Sequence, residues 1–134
     1  MRLTTALSLL LSTIAVGCSD TPTAPTTAAP GGTDTFSSVL NVGGTATRTF
    51  VVSVRGTVQA TLAATSPQNV QVGLMVGIPR ANGTGCVPNT SLTTEASGSP
   101  QISLVADPGT YCAQVYDAGT LRDPISFTMT IARP

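Results

Sequence analysis

From Thr35 to the C-terminus, apolar and polar side chains alternate with period two. Phe50, Val52 and Val54 alternate with Val51 and Ser53, and Val58, Ala60 and Leu62 with Thr57, Gln59 and Thr61. Val70, Val72, Leu74 and Val76 alternate with Gln71, Gly73 and Met75, and Ile125, Phe127, Met129 and Ile131 with Ser126, Thr128 and Thr130. A strand sends successive side chains to opposite faces, so each run predicts an antiparallel strand with one face buried. Residues 36–40, 102–105 and 110–117 add shorter runs. Turn-forming pairs and clusters separate them: Gly43-Gly44, Arg55-Gly56, Ser66-Pro67, Asn82-Gly83, Gly98-Ser99-Pro100, Asp107-Pro108-Gly109 and Ala118-Gly119. No window has helical spacing with caps. About seven or eight short strands in roughly 100 residues predict an all-β domain over 35–134, an antiparallel β-sandwich.

The first residues follow a different rule. Residues 3–16 are apolar apart from Thr and Ser, and Arg2 precedes them. At about 1.5 Å per residue the run covers roughly 21 Å, short of a ~30 Å hydrocarbon core, so it reads as a signal peptide (1–17) rather than a membrane span. Its end, Ala15-Val16-Gly17-Cys18, resembles the lipobox of bacterial lipoproteins. That resemblance implies lipidation of Cys18 and cleavage before it. Ser19, rather than Asp, then resembles the outer-membrane sorting choice. The other reading is an ordinary secretory cleavage that leaves Cys18 a free thiol. Parity favours the lipid, because three Cys in an exported chain leave one unpaired. The segment SDTPTAPTTAAPGGTD that completes 18–34 has no periodic apolar face, and its prolines favour extended backbone. It predicts a spacer reaching ~20–25 Å on average.

Composition then removes function classes. The chain has 134 residues, formal net charge +0 and 9% charged residues, so no basic face supports nucleic-acid binding. There is no His, which removes the usual general base and the commonest metal ligand. Serine catalysis lacks its His and any G-x-S-x-G elbow. Glu95 is the one Glu, set among Thr, Ser and Gly, a poor partner for two-carboxylate glycoside hydrolysis. The expectation is a non-enzymatic chain without a cofactor.

Segment 50–62 (FVVSVRGTVQATL) resembles the pre-peptidase C-terminal (PPC) domain family in its aromatic-led strand, Gly turn and Thr/Val-rich strand. Pro108-Gly109-Thr110-Tyr111 and Ser126-Phe127-Thr128-Met129-Thr130-Ile131 are similar to that family's later strands. The resemblance implies a small jelly-roll-like sandwich without catalytic residues, usually appended to secreted peptidases. This chain departs from it by having no peptidase domain, its own anchor signal and an added cysteine pair. An immunoglobulin reading competes, since Asp107-x-Gly109-x-Tyr111 looks like a tyrosine corner. There, however, the Cys falls two residues after Tyr, and here it falls one after. Cys112 therefore faces opposite to Tyr111, outside the core.

Cys86 sits in a polar, Gly-rich stretch, 79–89, expected to be a loop that Cys112 catches from outside the sheet. A metal site needs more ligands than two Cys can supply, and neither Cys has a basic or helix-N-terminal neighbour to activate a redox thiol. A structural disulfide Cys86–Cys112 is the expectation. Asp107, Asp117 and Asp123 are expected to cluster near predicted turns around one strand and are Ca²⁺ candidates, with turn capping as the plainer reading. Tyr116, on the outward face with Cys112 and Gln114, is a weak candidate for stacking on a sugar ring; otherwise it covers the disulfide or a neighbouring loop. Arg48, Arg55, Arg80 and Arg122 read as surface or edge-strand protection. The sequence therefore leads to a non-catalytic envelope lipoprotein with a protein or polysaccharide partner. The alternatives are a coat protein without ligand, or an accessory to a secreted peptidase.

Overall fold

A computed structural model describes residues 31–134. The stretch read as a signal peptide (1–17), Cys18 and the expected spacer as far as Pro30 lie outside the described residues. Eight strands and no helix are present among the described residues: β1 (Gly32–Leu40), β2 (Thr45–Val52), β3 (Gly56–Ser66), β4 (Val72–Pro79), β5 (Cys86–Thr94), β6 (Ile102–Ala106), β7 (Gly109–Tyr116) and β8 (Ile125–Arg133). They form two antiparallel four-stranded sheets, ordered β1-β8-β3-β6 and β2-β7-β4-β5. Every connection except β4–β5 crosses between sheets, which makes the double-sheet jelly-roll arrangement and not the immunoglobulin order.

The period-two alternation builds the core. Val58, Ala60 and Leu62 on β3, and Ile125, Phe127, Met129 and Ile131 on β8, meet Phe50 and Val52 on β2, Val72, Leu74 and Val76 on β4, and Ala113 and Val115 on β7. Phe36 meets Phe127 edge-on, ring centres 5.5 Å apart, and Phe50 stacks on Tyr111 at 6.0 Å. The opposite faces carry Thr and Ser. Val54 departs from its expected strand: β2 stops at Val52, and Val54 is exposed in the turn that follows.

Three boundaries differ from the sequence reading. β1 begins at Gly32, so residues 32–34 belong to the sheet and not to the 18–34 spacer. Asp34 forms an ion pair with Arg133 at 3.3 Å, and the Arg133 guanidinium also donates to the Val51 carbonyl of the other sheet at 2.8 Å. That clasp holds the two sheets together at the edge where β1 and β2 lie. The stretch expected to be the 79–89 loop is mostly strand: β4 reaches Pro79, β5 starts at Cys86, and only the residues between turn. β5 carries one half-buried apolar residue, Leu92, against the core. An edge strand needs no more, and alternation alone could not reveal it.

β3 is bulged between Leu62 and Ala64. There β6 has ended and the Gln101 side chain takes its place. Its Oε1 accepts the Leu62 N–H at 2.8 Å, and its Nε2 donates to the Leu62 carbonyl at 3.2 Å. An amide side chain thus continues the ladder past the end of a strand.

Candidate functional site

Both ends of the sandwich are defined by register. Gly32 pairs with Arg133, Gly56 with Ala106 and Pro79 with Cys86 at one end. Leu40 pairs with Ile125, Ser66 with Ser126 and Thr45 with Tyr116 at the other. The chain therefore enters at the Gly32 end, while the β1–β2, β3–β4, β5–β6 and β7–β8 connections gather at the far end.

Cys86 and Cys112 are joined, with Cα atoms 6.0 Å apart. Cys112 lies on the outer face of its sheet, as the alternation from Tyr111 requires, and stays out of the core cluster. It is nevertheless fully buried, because the chain between β4 and β5 folds over it. Gln114, one pleat further along that face, is buried beneath the same cover. Its Oε1 accepts the Cys86 N–H at 3.1 Å and the Thr47 hydroxyl at 3.2 Å. A neutral amide under the loop thus satisfies a buried backbone donor and bonds a half-buried hydroxyl. The sequence reading placed Gln114 on the outward face with Cys112 but gave it no role; the hydrogen bonds it accepts depend on the chain folding over that face.

Tyr116 does not cover the disulfide. Its ring lies over Gly73, its cross-strand partner on β4, in the space where any side chain at 73 would stand. An aromatic filling the gap above a strand glycine is a packing arrangement, and it leaves Tyr116 only half exposed.

The three candidate aspartates do not cluster, which corrects the expectation. Asp107 precedes β7 and Asp117 follows it, so eight strand residues separate them by roughly 25 Å. Among the described residues, no group of three or more Cys, Asp or Glu is placed to hold a metal ion. Asp107 pairs with Arg55 at 3.1 Å in solvent, and its carbonyl accepts the Tyr111 hydroxyl at 2.9 Å, the hydrogen bond of a tyrosine corner. The Asp117 carboxylate takes the Gly43 N–H at 2.8 Å on one oxygen. On the other it takes those of Gly119, Thr120 and Leu121 at 2.8, 3.0 and 3.1 Å. These amides, Gly43 first and then Leu121, Gly119 and Thr120, hold its pKa below the usual carboxylate value against the opposing effect of desolvation. Gly43 has φ +67°, a conformation that favours glycine and that aims its N–H at the carboxylate. Asp117 is thus the knot of the far-end connections. Asp123 stands before Pro124 in the same connection.

Two adjoining depressions open at that far end. The larger, about 410 Å³, lies on the outer face of β1, β8 and β3, between Ser37, Val39, Ala64, Ser66, Ser126 and Thr128. The smaller, about 260 Å³, lies between the β3 bulge and the β5–β6 connection, with Gln68, Asn69, Ala96 and Ser97. Ala64 and Thr65 belong to both. The Ser37 and Thr128 hydroxyls bond each other at 2.9 Å across the first. Nothing in the alternation marked this groove, because its walls come from outward hydroxyls on three strands that are far apart in sequence.

Compared with known proteins, the chain matches no protein-family model and no curated protein.

Proposed function

We propose that this chain is a non-catalytic cell-envelope lipoprotein, lipid-anchored through Cys18, whose disulfide-stapled sandwich is presented to a protein or polysaccharide partner. The observation that carries the reading is the Cys86–Cys112 bond. It accounts for two of the three cysteines. The third stands at the end of the signal-like run, where the lipobox resemblance requires it. A structural disulfide belongs to an oxidising compartment, which agrees with export. The signal-like segment and Cys18 supply the address, the outer membrane being the destination that Ser19 favours, with the domain toward the periplasm or the cell surface. A chain without His, with its Asp117 carboxylate occupied by backbone amides, supports a role in binding rather than in catalysis.

A purely structural coat role is the second reading, favoured by outer faces made largely of uncharged Thr and Ser. Metabolic labelling with palmitate separates anchored from free protein. The wild-type chain is expected to take the label and sediment with membranes, and Cys18→Ala to do neither. Membrane association that survives Cys18→Ala contradicts the reading. Cross-linking in envelope extracts then divides the two roles, since a coat protein yields copies of itself and a binding module a different partner.

A further inference from the structure

We propose that the groove formed by the two adjoining far-end depressions binds a neutral carbohydrate chain. The inference deepens the binding role proposed above and rests on it.

The site is made by the β3 bulge. The extra residue after Leu62 turns both Ala63 and Ala64 to the surface, where two methyl groups stand in place of larger side chains. The groove this leaves runs from Ser37 and Ser126 over Ala64 to Gln68 and Ser97. Its larger part, about 410 Å³, is a shallow, open depression, and the smaller continues it.

The lining identifies the chemistry. Among the described residues, neither depression includes an Asp, Glu or Arg. A charged ligand would be desolvated there without an opposite charge to compensate. What the groove offers is an apolar floor, Val39 and Ala64, between hydroxyls of Ser66, Ser126 and Thr128 and the amides of Gln68 and Asn69. Val39 is 54% exposed, so the apolar surface is open to a ligand. Apolar patches flanked by neutral donors and acceptors match a sugar ring, which has C–H faces and a hydroxyl rim. A peptide strand is the weaker occupant. A strand adds in the plane of a sheet, here at the open edges of β1 or of β3 beyond Ala60, and so would lie beside the outer face over which the larger depression opens rather than on it.

Placement supports the same reading. The groove lies at the end opposite Gly32, where the chain enters the domain. The point where the chain enters the domain therefore does not adjoin the groove.

The protein purified from its native membranes is titrated separately with cellohexaose, maltohexaose and chitohexaose, with polygalacturonate as the anionic control. Heat release gives the affinity, and backbone-amide shifts locate the ligand. The expected result is saturable binding of at least one neutral hexasaccharide, with shifts concentrated at 37–39, 63–69, 96–98 and 126–128. Ala64→Arg fills the floor with a charged side chain, and Ser126→Glu adds a carboxylate to the wall. Both positions are exposed, so melting curves should match wild type while affinity falls on the order of tenfold or more. Failure of all three sugars to bind with Kd of about 1 mM or tighter overturns the proposal. So do shifts located elsewhere, preference for polygalacturonate, or unchanged affinity in both variants. Palmitate labelling reads the anchor independently, so a groove without sugar affinity on a labelled protein refutes this inference alone.

Discussion

Removing the Cys86–Cys112 bond tests how the outer face of the β2-β7-β4-β5 sheet is held. The bridge spans 26 positions, and the chain-entropy model assigns a ring of that size about 3.5 kcal/mol. Unfolding entropy near 2.1 cal/mol/K per residue gives roughly 0.2 kcal/mol/K for a domain of this length. The corresponding fall in Tm is roughly 15 °C. Cys112→Ser is a poor way to read this number, because position 112 is fully buried and a serine hydroxyl there adds about 1–3 kcal/mol if unpartnered. The clean perturbation is the double variant Cys86→Ala, Cys112→Ala, compared with wild type by far-UV circular dichroism melts without reductant. The native strand signal should persist at 25 °C, since the core cluster contains neither cysteine. Cys112→Ser should melt lower still. A fall of less than about 5 °C in the double variant would refute the reasoning. It would mean that Gln114 and the β4–β5 ladder hold the cover without the covalent bond.

Four further substitutions, one of them read by its acid titration, probe other joints. A Cβ added at Gly77 would overlap the Val87 carbonyl oxygen and lie 2.8 Å from its carbon and 2.9 Å from Pro88 Cα. Gly77→Ala should therefore cost about 1–3 kcal/mol or more in urea unfolding, because backbone must move. At Gly73 the nearest atoms to an added Cβ are those of the Tyr116 ring, which can swing outward, so Gly73→Ala should cost less; the reverse order would contradict the packing described. The lowered pKa of Asp117 means that its stabilising effect is present above the ordinary carboxylate value and is lost as pH falls through the lowered one. Wild type should therefore lose stability below about pH 4, while Asp117→Asn is weaker at neutral pH and has a flatter acid limb. Parallel acid limbs in the two proteins would show that Asp117 does not contribute. Gln101→Ala should speed amide exchange at Leu62 without altering exchange at Met129, and equal protection in wild type and variant would contradict its place in the ladder.

The sandwich was legible wherever one face of a strand had to be buried. The alternation at 58–62, 72–76 and 125–131 leaves one register that hides Leu62, Leu74 and Met129, so fold class follows from those residues. β5 was not legible, since an edge strand with Leu92 alone against the core has almost no period to read. The same alternation set Cys112 on the outer face, while the Cys86–Cys112 pairing came from parity and from the lack of further metal ligands or thiol-activating neighbours. It could not show that the cover would bury that face, because burial there depends on Gln114 accepting the Cys86 amide across the sheet. The grouping of Asp107 with Asp117 and Asp123 failed for a simple reason. Nearness to turns at both ends of one strand means opposite ends of the domain. Arg133 was overlooked because its partners, Asp34 and the Val51 carbonyl, lie on two other strands. The groove at Ala64 required the bulge, which period two reads only as a lapse.

Intact mass measurement of the protein from its native envelope, before and after reduction, tests the account most directly. The account predicts a chain of residues 18–134 carrying acyl groups, heavier by two hydrogen atoms once Cys86–Cys112 is reduced. A mass that begins at Met1, lacks lipid, or does not change on reduction of the unfolded protein would contradict it.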